Sequence, residues 1–436
     1  MSFALPYAWR SIATLRASRA AVCCLTAAAA LSCTALARAE SGWTRWGGPN
    51  QDWKIKCGKL AGEWPESGPK KAWTRELGEG YSSISEENGK LYTMYREEGE
   101  DGKEVAICLD AKTGQTVWER KYKAKPSDEH VMEFGAGPRA TPLLCDDRVY
   151  TIGVSGIMHC LNKADGKVVW KHDLWKEFKG TVLNHGYSSS ALDYGDTVIA
   201  MVGGKGHSLM AFRKDNGKVV WKKQDFKNSY STPMIINVDG QDQMLCFMAE
   251  ELAALNPEDG ELLWRVEHKN QWGQNVCLPV WDAKDHLLFI TSVAQGGSKC
   301  LKLSRDGDET NVEEVWANPK LQIHHSNAIR LGDTIYTSSG GRGPGIFYAV
   351  DVKTGDIRWK ERGFAKATFV YGDDKFFVVD EDGNVGLVEP DPESFKIKAN
   401  VPLLTKAAWT HPTLVGKRLY LRDRKVIMAL DVGAKS

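Results

Sequence analysis

Arg139, His185, Tyr187, Asn275, His325 and Trp409 are the side chains of this 436-residue chain best suited to hold a ligand or partner. They fall in short polar segments that recur along the chain: 80–83, 137–141, 184–189, 228–232, 273–276, 324–327, 366–368 and 409–411. Arg139 is the sharpest of them, because a guanidinium forks onto a carboxylate; pairing with an acid of neighbouring structure is the competing role. His324 and His325 invite a metal ion, but adjacent residues of an extended strand point to opposite faces, so no metal site is expected. Ser and Thr in these segments can also simply satisfy nearby backbone groups. Scaffold closure and ligand recognition are therefore both open readings of the segments.

Local catalytic motifs are missing from the sequence. There is no His-Glu-x-x-His, no phosphate loop and no Gly-x-Ser-x-Gly elbow. The glycine-dense run 340–345 reads as a loop between strands. The acidic run 96–103 reads as a solvated hairpin tip rather than a calcium loop.

The elements that must position these segments repeat. Cys108-Leu-Asp-Ala-Lys-Thr-Gly114-Gln-Thr-Val-Trp118 returns as Cys160-Leu-Asn-Lys-Ala-Asp-Gly166-Lys-Val-Val-Trp170, and its Gly-x-x-x-Trp core recurs at Gly217–Trp221, Gly260–Trp264 and Gly355–Trp359. A looser copy runs from Gly307 to Trp316. Self-similarity at roughly 40 to 50 residues marks a stacked array. Each copy reads as a hairpin, with a second pair of strands upstream, so one repeat makes a four-stranded antiparallel blade. The recurring Trp supplies an apolar plate between blades. No run shows helical periodicity.

Trp118, Trp170, Trp221, Trp264, Trp316, Trp359 and Phe395 mark seven outer strands. The chain then adds three more strands, at 408–413, 418–421 and 426–431, with no fourth. Residues 70–77, centred on Trp73, can supply it, which predicts an all-β, eight-bladed propeller closed by an N-terminal strand. The expected organisation is a signal peptide over 1–39, an N-terminal extension over 40–69 and the propeller over 70–436. The polar crossings between blades then ring one mouth of the central channel, where convergent loops commonly form sites.

Arg10, Arg16 and Arg19 precede an uncharged stretch over 20–37 that ends in Ala37-Arg38-Ala39. This pattern predicts a cleaved secretory signal and a periplasmic or secreted protein, with membrane attachment only if the segment is retained as an anchor. Removing the four Arg of residues 1–39 takes the formal charge from +1 to −3, which carries no footprint for nucleic acid. Seven cysteines follow this segment, an odd number. Most lie in predicted strands and read as small buried thiols.

The run Leu109-Asp-Ala-Lys-Thr-Gly-Gln-Thr-Val-Trp118 resembles the tryptophan-docking repeat of β-propellers of the pyrroloquinoline-quinone (PQQ) type. The resemblance extends from about Trp43 to Asp431, including Trp43-Thr-Arg-Trp46-Gly-Gly-Pro49-Asn50. The family holds two branches. BamB-like members imply a non-catalytic periplasmic scaffold that presents its loops and edge strands to partners of the outer-membrane assembly machinery. Quinoprotein alcohol or sugar dehydrogenases imply PQQ with Ca²⁺, an Asp base and commonly a disulfide between adjacent cysteines. Here the adjacent pair Cys23-Cys24 lies in the leader, no Cys-x-x-Cys-His is present, and no Asp is marked as base. The expectation is therefore a binding propeller without a cofactor, a PQQ-dependent oxidoreductase being the alternative.

Overall fold

The computed structural model describes residues 42–99, 102–131, 133–340 and 343–434. The predicted leader, and part of each loop at 96–103 and 340–345, lie outside them. Strand after strand turns back on itself, giving eight four-stranded antiparallel sheets. Blades 1 to 7 occupy residues 85–123, 143–173, 192–223, 234–267, 280–318, 328–361 and 367–402. Blade 8 joins three C-terminal strands (413–431) to Lys70–Glu76, in the register Lys70↔Asp431 to Glu76↔Val426. The eight-bladed count and the N-terminal closing strand are as expected. Against the expectation of no helix, Leu174–Phe178 forms one turn capped by the Asp173 carboxylate.

The repeat motif works through a cross-strand ladder of three side chains. In blade 2, Tyr150 pairs with Cys160 and Cys160 with Trp170, and a β-bulge follows at Cys160/Leu161. The residue opposite each docking Trp is small: Cys108, Cys160, Ala211, Ala254, Cys300, Ala349 or Ala429. An indole needs that room, and three buried cysteines supply it where other blades use alanine. Each Trp then reaches the next blade. Trp118 lies against Gly166, where a Cβ would come within 2.5 Å of the ring, and its indole N–H donates to Lys163 O at 3.0 Å. Trp73, Trp170, Trp221 and Trp316 repeat the arrangement on Gly114, Gly217, Gly260 and Gly355.

Three blades depart from the pattern. The outer hairpin of blade 5 is long, with strands Gly297–Asp306 and Glu309–Asn318, so Gly307 lies at its far tip. Trp264 consequently donates to Gln243 of its own blade, at 2.7 Å. Trp359, expected to be largely buried, is partly exposed; blade 7 offers its indole N–H the Asp391 carbonyl but no glycine turn. Phe395, expected as the seventh outer-strand aromatic, precedes its strand and packs on Phe347 and Trp359; Ala399, opposite Leu387, holds the docking position. Blade 8 has no outer hairpin to receive a Trp from that position. Trp64 of the N-terminal segment lies there instead, 6.1 Å from Phe377. In five other blades the corresponding aromatic lies 5.9–6.4 Å from its Trp.

Candidate functional site

The two mouths of the channel differ. Residues 43–61 cross one of them. Trp43 and Thr44 carbonyls accept from Glu86 N and Leu144 N, Arg45 pairs with Asp193, and Gln51 donates to Pro233 O. Ile55 N bonds Tyr371 O and Ala61 N bonds Val432 O. This segment is therefore fixed to blades 1, 2, 3, 4, 7 and 8. Trp46 and Trp53 reach into the channel, where both pack on His411, at 4.5 and 4.3 Å. Burial among these rings holds the His411 imidazole well below its ordinary pKa.

The opposite mouth is ringed by the crossing segments, and here four predicted residues meet. Trp409 stacks on Tyr81 at 5.4 Å and contacts Phe134 at 5.4 Å and His325 at 5.5 Å. Phe134 also contacts His185 at 6.0 Å, which in turn faces Tyr230 at 5.8 Å. Arg139 sits 5.8 Å from the centre of the Tyr81 ring. The structure thus brings Arg139, His185, His325 and Trp409 into one aromatic-lined patch. His324 and His325, expected on opposite faces of a strand, lie instead in a bend before Ala328 and touch edge to face at 5.5 Å. Among the described residues no group of three or more His, Cys, Asp or Glu is placed to hold a metal ion.

Tyr187 and Asn275 belong to the scaffold rather than to this surface. Tyr187 is buried, and its hydroxyl donates to Val202 O at 2.5 Å. Asn275 is fully buried: its amide donates to Met248 O, its carbonyl accepts from Asn270, and its backbone N–H bonds Ser229 Oγ. Their positions in the crossing segments were legible, but their burial was not. Sequence reasoning did not single out Tyr81, Phe134 or Tyr230. Tyr81 lay in a recognised crossing, whereas Phe134 sits in a connection with no repeat signal.

The electrostatics of the mouth are one-sided. The Arg139 guanidinium donates to Gly135 O at 3.0 Å and Gly137 O at 3.2 Å. No carboxylate among the described residues lies within ion-pair distance of it. The acid partner considered from sequence is thus not found there. Glu79 pairs with Arg424, and Glu381 with Lys366 and the Trp409 indole. Glu104, fully buried behind Arg139, accepts from Tyr122 at 2.8 Å and Val154 N at 2.9 Å; burial pushes its pKa up to about 7. Desolvation, with Lys366 nearby, pushes His325 down to about 4. Burial, and then Arg139, lowers His185. The imidazoles of the patch are therefore neutral near pH 7, and the fixed charge is that of Arg139. A separate groove of about 710 Å³ runs along blades 6 and 7, lined by Tyr336, Tyr371, Leu387, Pro390 and Lys398; it shares no residue with this mouth.

Residues 102–361 match the family described as outer membrane protein assembly factor BamB, a stretch that covers more than half of the chain. Quinoprotein alcohol dehydrogenase PedH of Pseudomonas putida is 34% identical over 140 residues, 29% of this chain and 22% of that protein. Quinohemoprotein alcohol dehydrogenase ADH-IIG of Pseudomonas putida is 25% identical over 180 residues, 35% of this chain and 24% of that protein. The chain therefore matches less than a quarter of the length of either relative. The crystal structure of BamB from Moraxella catarrhalis superposes with a TM-score of 0.53 at 16% identity, covering 84% of this chain and 99% of that one. Quinohemoprotein alcohol dehydrogenase from Comamonas testosteroni gives 0.61 at 12% identity, covering 91% and 81%. These superpositions establish the fold alone. No helix among the described residues is long and apolar enough to cross a membrane.

Proposed function

Since the chain belongs to the family described as outer membrane protein assembly factor BamB, we propose that it is a non-catalytic recognition propeller of the cell envelope, binding a partner or small ligand at the crossing-segment mouth. The observation that carries this reading is Arg139. A half-buried guanidinium with no acid partner among the described residues, set beside stacked Tyr81 and Trp409, is poor scaffold chemistry and good recognition chemistry. The strap over 43–61 crosses the other mouth and leaves this one to the crossing segments. Work in the periplasm or outside the cell fits the family and the leader-like N-terminus.

The alternative, a PQQ-dependent alcohol or sugar dehydrogenase, draws on the short matches to the two quinoproteins. Arg139 and the aromatic faces suit a planar anion. The carboxylates are less suited to Ca²⁺, because each is already committed to protein donors. Glu381 serves Lys366 and Trp409, Glu104 serves Tyr122 and Val154, and Asp423 accepts from Thr405, Lys425 N and Val426 N. The donor set does not fit a calcium-bound quinone, and we derive no step through one. A dye-linked assay with PQQ, Ca²⁺, primary alcohols and aldoses is expected to give no turnover. Turnover that disappears in Arg139→Ala at unchanged stability would establish the dehydrogenase instead.

A further inference from the structure

We infer that the crossing-segment mouth selects an anionic ligand, seating its carboxylate or phosphate group at an arginine corner between blades 8, 1 and 2, with its body against Tyr81 and Trp409. The inference rests on the reading of this mouth as the binding site and adds the charge of what binds there. Four guanidinium groups gather in this sector: Arg96 from blade 1, Arg139 from the crossing into blade 2, and Arg422 and Arg424 from blade 8. Arg424 is neutralised by Glu79. Arg422 is fully buried and donates to Ser82 O, Met94 O, Gly78 O and Thr93 Oγ1, all neutral acceptors. Its neighbour Asp423 directs its carboxylate to Thr405 and to backbone N–H groups. Arg96 donates to Ala124 O and faces Glu104, whose proton burial retains up to about pH 7.

Counted against the carboxylates of Glu79, Asp423 and Glu104, the four guanidinium groups still leave excess positive charge, and they do so in a partly dry setting where an unmatched charge is least tolerable. Among the described residues, two N–H groups of Arg139 have a protein acceptor, at Gly135 and Gly137. A guanidinium has five, so three remain for a ligand. Its Nε has no protein acceptor among the described residues and is not one of the sealed, unpartnered polar atoms, so that donor stays accessible. Arg422 is held too deeply for contact and contributes field; Arg139 is the group positioned for contact. The flat faces of Tyr81 and Trp409 alongside give the ligand's body a surface to lie on.

The test is isothermal titration calorimetry on the full-length protein at low ionic strength. Indole-3-acetate is compared with its neutral analogue indole-3-acetamide, and acetyl-trialanine with its C-terminal amide. Inorganic phosphate serves as the third arm. At least one acid is expected to bind saturably and about tenfold or more tighter than its neutral analogue, the usual worth of a charge-assisted contact. Which arm binds assigns the charged group to a small planar acid, a chain end or a phosphate. Arg139→Gln should erase the preference, Arg139→Lys should keep part of it, and Lys171→Gln on a distant outer strand should change nothing. Equal binding of acid and amide, lost together in Trp409→Ala, would overturn the anion inference while leaving the mouth as a site. Acid binding unaffected by both Arg139→Gln and Trp409→Ala would overturn both readings. Failure of every acid to bind saturably would overturn the inference as well.

Discussion

The docking of Trp118 on Gly166 can be tested as a coupled pair. Trp118→Ala removes a buried indole and its hydrogen bond to Lys163 O, which should cost about 3–5 kcal/mol. Gly166→Ala is expected to be costly for two separable reasons. Gly166 has φ +67°, a conformation that disfavours a side chain by about 1–2 kcal/mol. Its new Cβ would also stand 2.5 Å from the Trp118 ring, and relieving such overpacking costs about 1–3 kcal/mol. With the indole already removed, only the backbone penalty survives. The double variant should therefore be more stable than the sum of the singles implies, by about 1–3 kcal/mol. Urea denaturation of the four proteins, followed by far-UV circular dichroism, measures that difference. A coupling below about 0.5 kcal/mol, the ordinary scatter of additive sites, would refute the docking geometry. The same cycle built on Trp264 and Gly307 should be additive, because Gly307 has open space around it.

Two further outcomes follow from the seam and the buried acid. Trp64→Ala should destabilise the ring as Trp73→Ala does and should selectively speed amide exchange in 413–431, since Trp64 fills the place that Ala399 leaves between blades 7 and 8; unchanged exchange there would contradict the substitution of one for the other. Glu104 has a folded pKa of about 7 against an ordinary 4.5, so the fold holds its proton more tightly than the unfolded chain does. Its contribution is therefore fully present below about pH 4.5 and is lost as pH rises through 7, by about 3 kcal/mol. Subtracting the urea-melt stability of Glu104→Gln from that of wild type at each pH should trace that decline. His268 and His325, held down to about 4, act in the opposite sense, losing stability as pH falls below 6.5, and they cancel in this difference. A flat difference would show that Glu104 is not the buried group assigned.

The sequence by itself determined the ring. A Gly-x-x-x-Trp hairpin is a local feature, and it recurs because each blade meets only its neighbours. The missing fourth strand at one end and the spare strand at the other specified closure, and Lys70–Glu76 fills that place. The thiols at 108, 160 and 300 were readable as small buried groups from their place in predicted strands. What only the tertiary structure decided is whatever the period does not encode. Trp64 and Ala399 are remote in sequence, and only a closed ring brings them to one interface. The strap over 43–61 has no repeat of its own, so its course across one mouth could not be read from spacing. Tyr187 and Asn275 share their segments with more accessible residues, yet depth within a crossing depends on which side of the chain packs inward, and that is set by neighbouring blades. The charge of the mouth was likewise invisible, because Arg139, Glu104 and Arg422 come from three blades. Whether a guanidinium is neutralised depends on distances that no single repeat contains.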